Sequence, residues 1–249
     1  MELRDAVVVV TGASRGLGEA LTRSLVARGS RLVVSATPSS DLNRVGREVR
    51  GLIAPADVTD PRQIEQLVAK TLAAYGRIDL WINNAGIRIP QMPVADVDPS
   101  RVHQMMEVNF FGAFYGCRAA LRLMQRQGFG AILNILSSAA LKPRPRSAAY
   151  AATKAALASL TQSLRLETAS TNVRIYGAYP GGMKTRLWDE QRPPDFNRHM
   201  EPSYVAAVMV ENLAQDKPIS DLAIFNPDQL QAGAPRLLPL ARLTDYLIR

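Results

Sequence analysis

Short apolar runs alternate with amphipathic stretches along the chain as far as Pro180. The runs are rich in β-branched residues and have the length of buried strands; they cover residues 7–10, 31–35, 52–53, 78–82, 130–136 and 173–178. Between them apolar residues recur at helical spacing, most clearly over residues 17–26, 61–72, 99–124 and 148–169. The pattern therefore predicts strands and helices in strict alternation.

This alternation predicts an α/β fold. Parallel strands need helical crossovers, so we expect one doubly wound parallel sheet with helices on both faces. No linker rich in Pro, Gly or Ser divides the chain before Pro180, and no internal repeat is visible. Residues 1–249 are therefore expected to form a single domain.

The pattern becomes less regular after Pro180. Residues 183–200 are interpreted as a loop with a short helix, too long for a simple connection, and loops of this length are often substrate lids. A helix is expected from Glu201 to about Leu213, and a last strand over residues 222–225. The tail, residues 229–249, is irregular, but its leucines favour an amphipathic helix; they are Leu237, Leu238, Leu240, Leu243 and Leu247.

Composition excludes several classes of protein. Hydrophobic residues make up 47% and charged residues 21% of the 249 residues, which is typical of a globular chain and excludes wholesale disorder. The single cysteine, Cys117, excludes an internal disulfide, and two distant histidines supply no metal-binding motif. No apolar run approaches the length of a membrane span, and the first residues do not form a secretion signal. We therefore expect a cytoplasmic protein without a metal.

The net charge of +8 raises the question of a nucleic-acid partner. The basic residues are scattered, apart from small clusters at residues 44–50 and 142–146, and no nucleic-acid recognition motif accompanies them. The favoured interpretation is a solvated basic surface without a nucleic-acid partner. Attraction of a phosphate-bearing cofactor or an acidic substrate comes second.

Three glycines follow the first predicted strand. Gly12 permits a sharp turn, and Gly16 and Gly18 permit the backbone to approach a pyrophosphate at the N-terminus of the following helix. A glycine-rich turn without a ligand is the alternative. The position directly after the strand favours the phosphate site.

A second constellation consists of Tyr150 and Lys154, which lie four residues apart in a predicted helix and so share one face. A phenol has a pKa of ~10 and is a poor acid–base catalyst at neutral pH, but an adjacent ammonium would lower that pKa. Tyr150 is therefore a candidate to donate a proton to a carbonyl oxygen, or to remove one from an alcohol. Ser137, at the end of the fifth predicted strand, would hold the same oxygen.

In its order of motifs the chain resembles the single-domain short-chain dehydrogenase/reductase family, whose fold is Rossmann-like. The matching pieces lie within residues 7–185; they are Gly12-x-x-x-Gly16-x-Gly18, Asp57, Asn83-Asn-Ala-Gly86, Asn109, Ser137, Tyr150-x-x-x-Lys154 and Pro180-Gly181. The resemblance implies a catalytic tetrad of Asn109, Ser137, Tyr150 and Lys154, in which Lys154 also binds the nicotinamide ribose and Asn109 supports a water chain. Taken alone, Asn109 is better explained as a satisfied polar group in an apolar helix. Ser138 competes with Ser137, but its spacing to Tyr150 departs from the family pattern.

The resemblance also implies a nicotinamide dinucleotide. The residues expected along it are Gly12, Ser14, Arg15, Gly16, Leu17, Gly18, Thr37, Asp57, Val58, Asn84, Ala85, Gly86, Tyr150, Lys154, Pro180, Gly181, Met183 and Thr185. The second predicted strand ends without an acidic residue for the ribose 2′-hydroxyl, whereas Arg15 and Thr37 would receive a 2′-phosphate. NADP(H) is therefore predicted over NAD(H).

The expected function is that of an NADP(H)-dependent oxidoreductase of the carbonyl reductase or alcohol dehydrogenase type. A lipophilic substrate is favoured by apolar residues of the candidate lid and rim, which equally suit a core: Ile89, Met92, Leu141, Leu187, Trp188 and Phe196. The alternatives are a reductase of 3-ketoacyl groups on an acyl-carrier protein and a non-catalytic regulator or scaffold that binds NAD(P). We also expect a homodimer at least, through the two long helices. The family's usual tetramer is doubtful, because the usual Asp-Gly-Gly turn is absent near the C-terminus.

Overall fold

A computed structural model describes residues 1–142, 144–231 and 233–245 of the chain. Its centre is an eight-stranded sheet in the order β3-β2-β1-β4-β5-β6-β7-β8. Seven strands run parallel, and β8 pairs antiparallel with β7 at one edge. The strands are β1 (Val7–Thr11), β2 (Arg31–Ser35), β3 (Leu52–Ile53), β4 (Leu80–Asn83), β5 (Gly130–Ile135), β6 (Val173–Pro180), β7 (Asp221–Ile224) and β8 (Leu238–Pro239).

Helices cover both faces of the sheet, as the alternation of elements predicts. One face carries α1 (Gly16–Val26), α2 (Ser40–Glu48) and α7 (Pro202–Leu213). The other face carries α3 (Pro61–Tyr75), α5 (Gly112–Gln127) and α6 (Ala148–Glu167), while α4 (Pro99–Met106) leads into α5. The predicted single-domain, doubly wound α/β fold is thus confirmed.

The first strand shows why both faces are needed. All five residues of β1 are buried, with Val8 and Val10 in the core beneath α1 and Val7 and Val9 in the core on the opposite face. Alternate side chains of a strand point to opposite faces, so a wholly apolar strand must be covered on both sides. The burial of this apolar surface is the dominant favourable term in folding.

The order of the strands reverses beside β1. From β1 the chain builds outward to β2 and β3, then returns to place β4 on the other side of β1. The crossovers on the two sides diverge there and leave a crevice at the carboxyl ends of β1 and β4, the usual ligand position in open α/β sheets. The glycine segment that begins at Gly12 and the segment that begins at Asn84 meet at this crevice.

The long helix predicted over residues 99–124 has an interruption that the sequence pattern does not reveal. The helical stretch extends from Pro99 to Gln127, but residues Glu107–Phe111 form a π-helical turn between α4 and α5. Such turns often occur at functional sites. Asn109 lies within this one.

The amphipathic helix suggested for the tail is wrong for the described residues. Leu238 and Pro239 form β8, where Leu238 is buried against Ala223, and residues Leu240–Asp245 form a 3₁₀ stretch. Pro239 cannot donate the backbone hydrogen bond that a helix interior requires, although the leucine spacing imitates a helix. The position of Leu247 lies outside the described residues.

Residues 183–200 form a closed loop with two single 3₁₀ turns, Arg186–Trp188 and Phe196–Arg198, in place of the predicted short helix. Its ends are joined by a bridge between Met183 and Met200, with the Met200 amide donating to the Gly182 carbonyl at 3.0 Å. Among the described helices, none has the length and apolar character to cross a bilayer.

Candidate active site

A cleft of about 1190 Å³ opens at the carboxyl ends of the parallel strands. All the residues that the sequence predicts along a cofactor line it, from Gly12 in the glycine segment to Thr185 in the closed loop. Ser137, Tyr150 and Lys154 line the same cleft, whereas Asn109 lies behind its wall. The fold therefore collects residues from seven separate segments of the sequence into one cavity.

The glycine segment can approach a ligand closely because side chains would not fit there. Gly12 has a φ of +63°, and a Cβ on it would lie 2.8 Å from the Cα of Ala85. A Cβ on Gly18 would lie 2.1 Å from the Gly12 carbonyl oxygen. Both positions require glycine, for the backbone conformation at Gly12 and for the close packing of α1 on the turn at Gly18.

The N-terminus of α1 has the chemistry of an anion site. Helix α1 begins at Gly16 without a side-chain cap, whereas the N-termini of α2, α3 and α4 are capped by Ser39, Asp60 and Asp98. The amide groups of its first turn and the positive end of the helix dipole are therefore available to a phosphate. This donor set, beside a turn that excludes side chains, fits the pyrophosphate of a dinucleotide.

Thr11 and Asn84 fasten the two sides of the crevice to each other. The Thr11 hydroxyl accepts hydrogen bonds from the amides of Asn84 and Ala85 at 3.0 and 3.2 Å, and the Asn84 amide group donates to the Thr11 carbonyl at 2.9 Å. Asn84 therefore supports the glycine turn from below. Thr11 was not among the site residues predicted from the sequence, although a hydroxyl at the last position of β1 could have indicated it.

The far end of the cleft has features suited to adenosine. Asp57 fixes its loop because one of its carboxylate oxygens accepts hydrogen bonds from the Thr59 amide and hydroxyl at 2.9 and 2.8 Å. Thr37 and Arg15 are exposed where β2 and the glycine segment meet the cleft. The first acid after β2, Asp41, lies within α2 and contacts Arg186 at 3.4 Å.

Tyr150 and Ser137 meet at the opposite end. Ser137 follows β5, and its hydroxyl oxygen accepts the Ala139 amide at 3.1 Å, which leaves the hydroxyl proton free to be donated. A hydrogen bond between Ser137 and Tyr150 acts to lower the pKa of the tyrosine. This contact brings together Ser137 and Tyr150 as the sequence predicts.

The pKa of Tyr150 nevertheless moves opposite to the prediction. Burial raises the pKa of the phenol, with Arg88 and the hydrogen bond to Ser137 acting against that rise. The expectation that the Lys154 ammonium makes Tyr150 unusually acidic is therefore wrong for this chain on its own. The cation that acts on Tyr150 is Arg88.

Lys154 is held beneath the cleft by a backbone contact. Its side chain is buried, Nζ donates to the Ile135 carbonyl at 2.8 Å, and desolvation lowers the pKa of the ammonium to about 8. The nitrogen also lies 3.8 Å from where a Cβ on Gly86 would be. The remaining protons of Lys154 are thus close to the Asn84–Gly86 side of the cleft.

The contacts of Asn109 favour a positioning role. Its Oδ1 accepts the Ile87 amide at 2.8 Å, and its Nδ2 donates to the Ile87 carbonyl at 2.9 Å and to the Thr153 hydroxyl at 3.1 Å. The amide protons are therefore committed to the backbone after Gly86 and to α6. Its catalytic role in a water chain stays a prediction.

Arg88 is a second site residue that was not predicted from the sequence. Its guanidinium carbon lies 3.7 Å from the ring centre of Trp188 and 5.3 Å from that of Tyr150. The side chain lines the cleft, and burial lowers its pKa. A basic residue two positions after the Asn83–Gly86 motif was the available signal.

The closed loop forms one wall of the cleft. A methyl group of Thr185 would contact a Cβ on Gly16 at 3.4 Å, so the loop lies directly over the glycine segment. Two further contacts join the loop to the segment after β4: the Gln91 amide donates to Gln191 at 2.5 Å, and Arg101 pairs with Glu190 at 2.8 Å. Of the predicted apolar rim, Ile89, Leu187 and Trp188 line the cleft, whereas Met92, Leu141 and Phe196 do not.

Comparison with known proteins gives the family. The family model for short chain dehydrogenase matches residues 6–195. An uncharacterized oxidoreductase of Staphylococcus saprophyticus is 34% identical over 218 residues, covering 86% of this chain and 88% of its own length. One from Staphylococcus aureus is 31% identical over 221 residues, covering 88% and 95%.

Solved structures agree with this result. A 3-ketoacyl-(acyl-carrier-protein) reductase from Brucella melitensis complexed with NADH has a TM-score of 0.84 at 25% identity, covering 90% of this chain and 98% of its own. An alcohol dehydrogenase from Thermococcus sibiricus complexed with 5-hydroxy-NADP has a TM-score of 0.83 at 26% identity, covering 90% and 97%. The chain is an oxidoreductase and belongs to the short-chain dehydrogenase family.

Proposed function

We propose that this chain is a carbonyl reductase that uses NADP(H), with Tyr150 as the proton donor. The observation that carries the proposal is the shared cleft, which has an anion site at the start of α1 and a Tyr150–Ser137 pair at its other end. The bound nicotinamide supplies the hydride. Gly12, Gly16 and Gly18 hold the pyrophosphate, while Pro180, Gly181 and Met183 line the nicotinamide end.

Tyr150 and Ser137 handle the proton. The Ser137 hydroxyl, whose proton is directed at Tyr150 in the chain alone, would donate that proton to the carbonyl oxygen of a bound substrate and so hold this oxygen beside the Tyr150 hydroxyl. Burial raises the pKa of Tyr150 and so favours the protonated phenol, which is the form that donates a proton to a carbonyl oxygen. Lys154, fixed by Ile135, donates to the ribose and returns a proton toward Tyr150.

NADP(H) is favoured by charge at the adenosine end. Arg15 and Thr37 offer a cation and a hydroxyl to a 2′-phosphate, and Asp41 faces Arg186 and not the cleft. NAD(H) remains the alternative, since neighbouring structures include complexes with NADH as well as 5-hydroxy-NADP.

Replacing Thr37 by Asp tests this cofactor preference. The new carboxylate would repel the 2′-phosphate and bind the ribose hydroxyl, so the kcat/KM ratio of NADPH to NADH falls by about 10- to 100-fold. Ser40→Asp, which adds the same charge at an exposed position outside the cleft, leaves the ratio unchanged. A wild-type preference for NADH contradicts the assignment.

The substrate is proposed to be a lipophilic ketone or the corresponding secondary alcohol. Ile89, Leu187 and Trp188 provide an apolar wall beside Tyr150. A 3-ketoacyl thioester is a second candidate, because the Brucella reductase shares this fold and the exposed Arg144 lies at the cleft mouth. Reduction of acetoacetyl-carrier protein in preference to free ketones would select that candidate.

Absorbance of NADPH during incubation with a panel of ketones tests the proposal as a whole. Oxidation of NADPH with at least one ketone, and NADP reduction with the matching alcohol, is the expected result. Specific cofactor binding without turnover of any ketone, thioester or alcohol would favour a regulator or scaffold.

A further inference from the structure

Among the described residues, the partly buried guanidinium of Arg88 has no carboxylate partner. The charged groups close enough to affect its pKa are Tyr150 and the second cation Arg144, and no carboxylate is among them. Of the acids in the closed loop that line the cleft, Glu190 pairs with Arg101, Asp195 lies 3.5 Å from His199, and Asp189 is not among the charges that act on Arg88. A desolvated charge without a counter-ion is costly, so the site favours an anion.

Within the described part of the chain, most hydrogen-bond donors of Arg88 have no acceptor. A guanidinium has five N–H donors, and the hydrogen bond given by this one is a long contact of 3.4 Å to the Ser147 hydroxyl. The Arg88 guanidinium lies over the faces of the Trp188 and Tyr150 rings. Contacts of this kind do not use the N–H groups, which point outward in the guanidinium plane. The plane is thus available for a bidentate contact with two oxygen atoms.

The position of Arg88 limits how far that anion lies from the reacting carbonyl. Its guanidinium carbon is 5.3 Å from the centre of the Tyr150 ring, and the Tyr150 hydroxyl marks the site of the carbonyl oxygen. A substrate that contacts both the Arg88 guanidinium and the Tyr150 hydroxyl must carry its negative charge within a few bonds of the carbonyl carbon. A thioester of a carrier protein has no charge there.

We propose that the substrate of this reductase is a keto acid, with its carboxylate bound by Arg88, its carbonyl at Tyr150 and its apolar body against Ile89, Leu187 and Trp188. This inference rests on the proposed function and adds the substrate class. Arg88 is then a specificity-determining residue, and Arg144 contributes a second positive charge to the same end of the cleft.

Matched pairs of acid and ester provide the test. Wild-type protein is assayed with NADPH on 2-oxo and 3-oxo carboxylic acids, such as benzoylformate and acetoacetate, and on their methyl esters. We expect kcat/KM to be about 10- to 100-fold higher for the acid of at least one pair, the range for a hydrogen bond to a charged group. A ratio at or below unity for every pair overturns the inference.

The variant Arg88→Met keeps the length of the side chain and removes its charge. We expect the ratio of acid to ester to fall by at least about tenfold, mainly through KM for the acid. Arg62→Met is the control, because it removes an exposed cation that has the Asp60 partner and lies outside the cleft, and it leaves the ratio unchanged. An equal ratio in Arg88→Met and wild type overturns the inference.

Two further readouts keep the outcomes distinct. Where Arg88→Met does not fold, Arg88→Lys is measured instead. The point charge of lysine cannot form the bidentate contact, so the acid-to-ester ratio of kcat/KM is lower than in the wild type but above unity. An unchanged ratio contradicts the role of Arg88. Turnover of esters without preference for acids contradicts this inference alone. Absence of turnover for all ketones, acids and esters contradicts the proposed function.

Discussion

Burial moves the pKa values of Tyr150 and Lys154 in opposite directions, and each movement favours the uncharged side chain. The pKa of Tyr150 rises and that of Lys154 falls to about 8, because desolvation penalises phenolate and ammonium alike. A neutral phenol beside Ser137 is the form that donates a proton. The chain alone thus keeps Tyr150 in its acid form. The phenolate base that alcohol oxidation requires must be created by added positive charge, which lowers the pKa of Tyr150.

Cys117 gives a test of burial at the residue scale. Its thiol is buried against Asn83 and Asn134, at 3.2 and 3.5 Å, and burial raises its pKa from 9.0 to about 12. The folded pKa lies above the unfolded one, so this contribution to stability is complete below pH 9 and is lost as pH rises toward 12.

Relative to Cys117→Ala, wild type is therefore expected to lose roughly 1 kcal/mol of unfolding free energy between pH 7 and pH 10. Denaturant titrations of both proteins at pH 7 and pH 10 measure this change in unfolding free energy. The cavity left by alanine lowers stability equally at both, so it cancels in the comparison. Parallel pH profiles would contradict the assigned shift.

The sequence predicted which residues meet at the site better than it predicted their surroundings. Strand ends placed Ser137 at the carboxyl edge of the sheet, helix spacing placed Tyr150 beside Lys154, and the family resemblance paired Ser137 with Tyr150. The pKa of Tyr150 depends on desolvation and on Arg88, whose ring contacts with Trp188 and Tyr150 join segments far apart in the chain. The local sequence pattern does not show how deeply Tyr150 is buried or that Arg88 lies beside it.

At the scale of elements, a buried polar network fixes β4, β5, α5 and α6 to one another. Trp81 donates to Asn83 at 2.7 Å, Asn83 donates to Asn134 at 2.8 Å, and Asn134 donates to Thr161 at 2.9 Å. Gly116 of α5 packs directly on this network. Since β4 and β5 lead into Asn84 and Ser137, the network sets the spacing between the two ends of the cleft.

Gly116→Ala tests this packing. A Cβ there would lie 2.2 Å from Asn83 Oδ1 and 2.7 Å from Trp81 Nε1, so the network must break or α5 must move. We expect a loss of about 2 kcal/mol or more in unfolding free energy, despite the better helix propensity of alanine. Thermal or denaturant unfolding measures it.

The control is the same substitution in an Asn83→Ala background. Removal of the Asn83 side chain frees much of the space, so the cost of Gly116→Ala is smaller there. Equal costs in the two backgrounds would show that Asn83 does not limit the space beside Gly116.

Elements with strong periodicity were predictable, whereas the π-helical turn and the tail were not. The apolar β1 and the amphipathic α3 follow the sequence pattern closely, since their burial is regular. The π-helical turn at Asn109 changes the hydrogen bonding without changing the apolar spacing that a pattern detects. The tail failed because leucine spacing suited a helix, while pairing of Leu238 with Ala223 decided the strand.

At the scale of the whole molecule, an aromatic patch over the π-helical turn and the start of α5 supports the expected homodimer. Phe111 and Phe114 are 36% and 38% exposed and form ring contacts with Phe110 and Tyr115. Exposed apolar patches of this kind commonly mark interfaces. The location agrees with the expected contact through the long helices.

Phe114→Glu is expected to convert the dimer to a monomer, because it would bury two unpaired carboxylates at the two-fold interface. Light scattering after size-exclusion chromatography measures the mass. Phe129→Glu changes a phenylalanine with the same 38% exposure outside α5 and leaves the dimer intact. A monomeric wild type, or a dimeric Phe114→Glu, would contradict the interface.

The central claim is that Tyr150 donates the proton from one end of a cleft whose other end binds the dinucleotide. The most direct test is kcat of Tyr150→Phe together with its dissociation constant for NADPH, with Tyr179→Phe as control, since Tyr179 is buried outside the cleft. The account predicts a loss of at least about 100-fold in kcat with NADPH affinity retained, and normal kcat in the control. An unchanged kcat in Tyr150→Phe would contradict it.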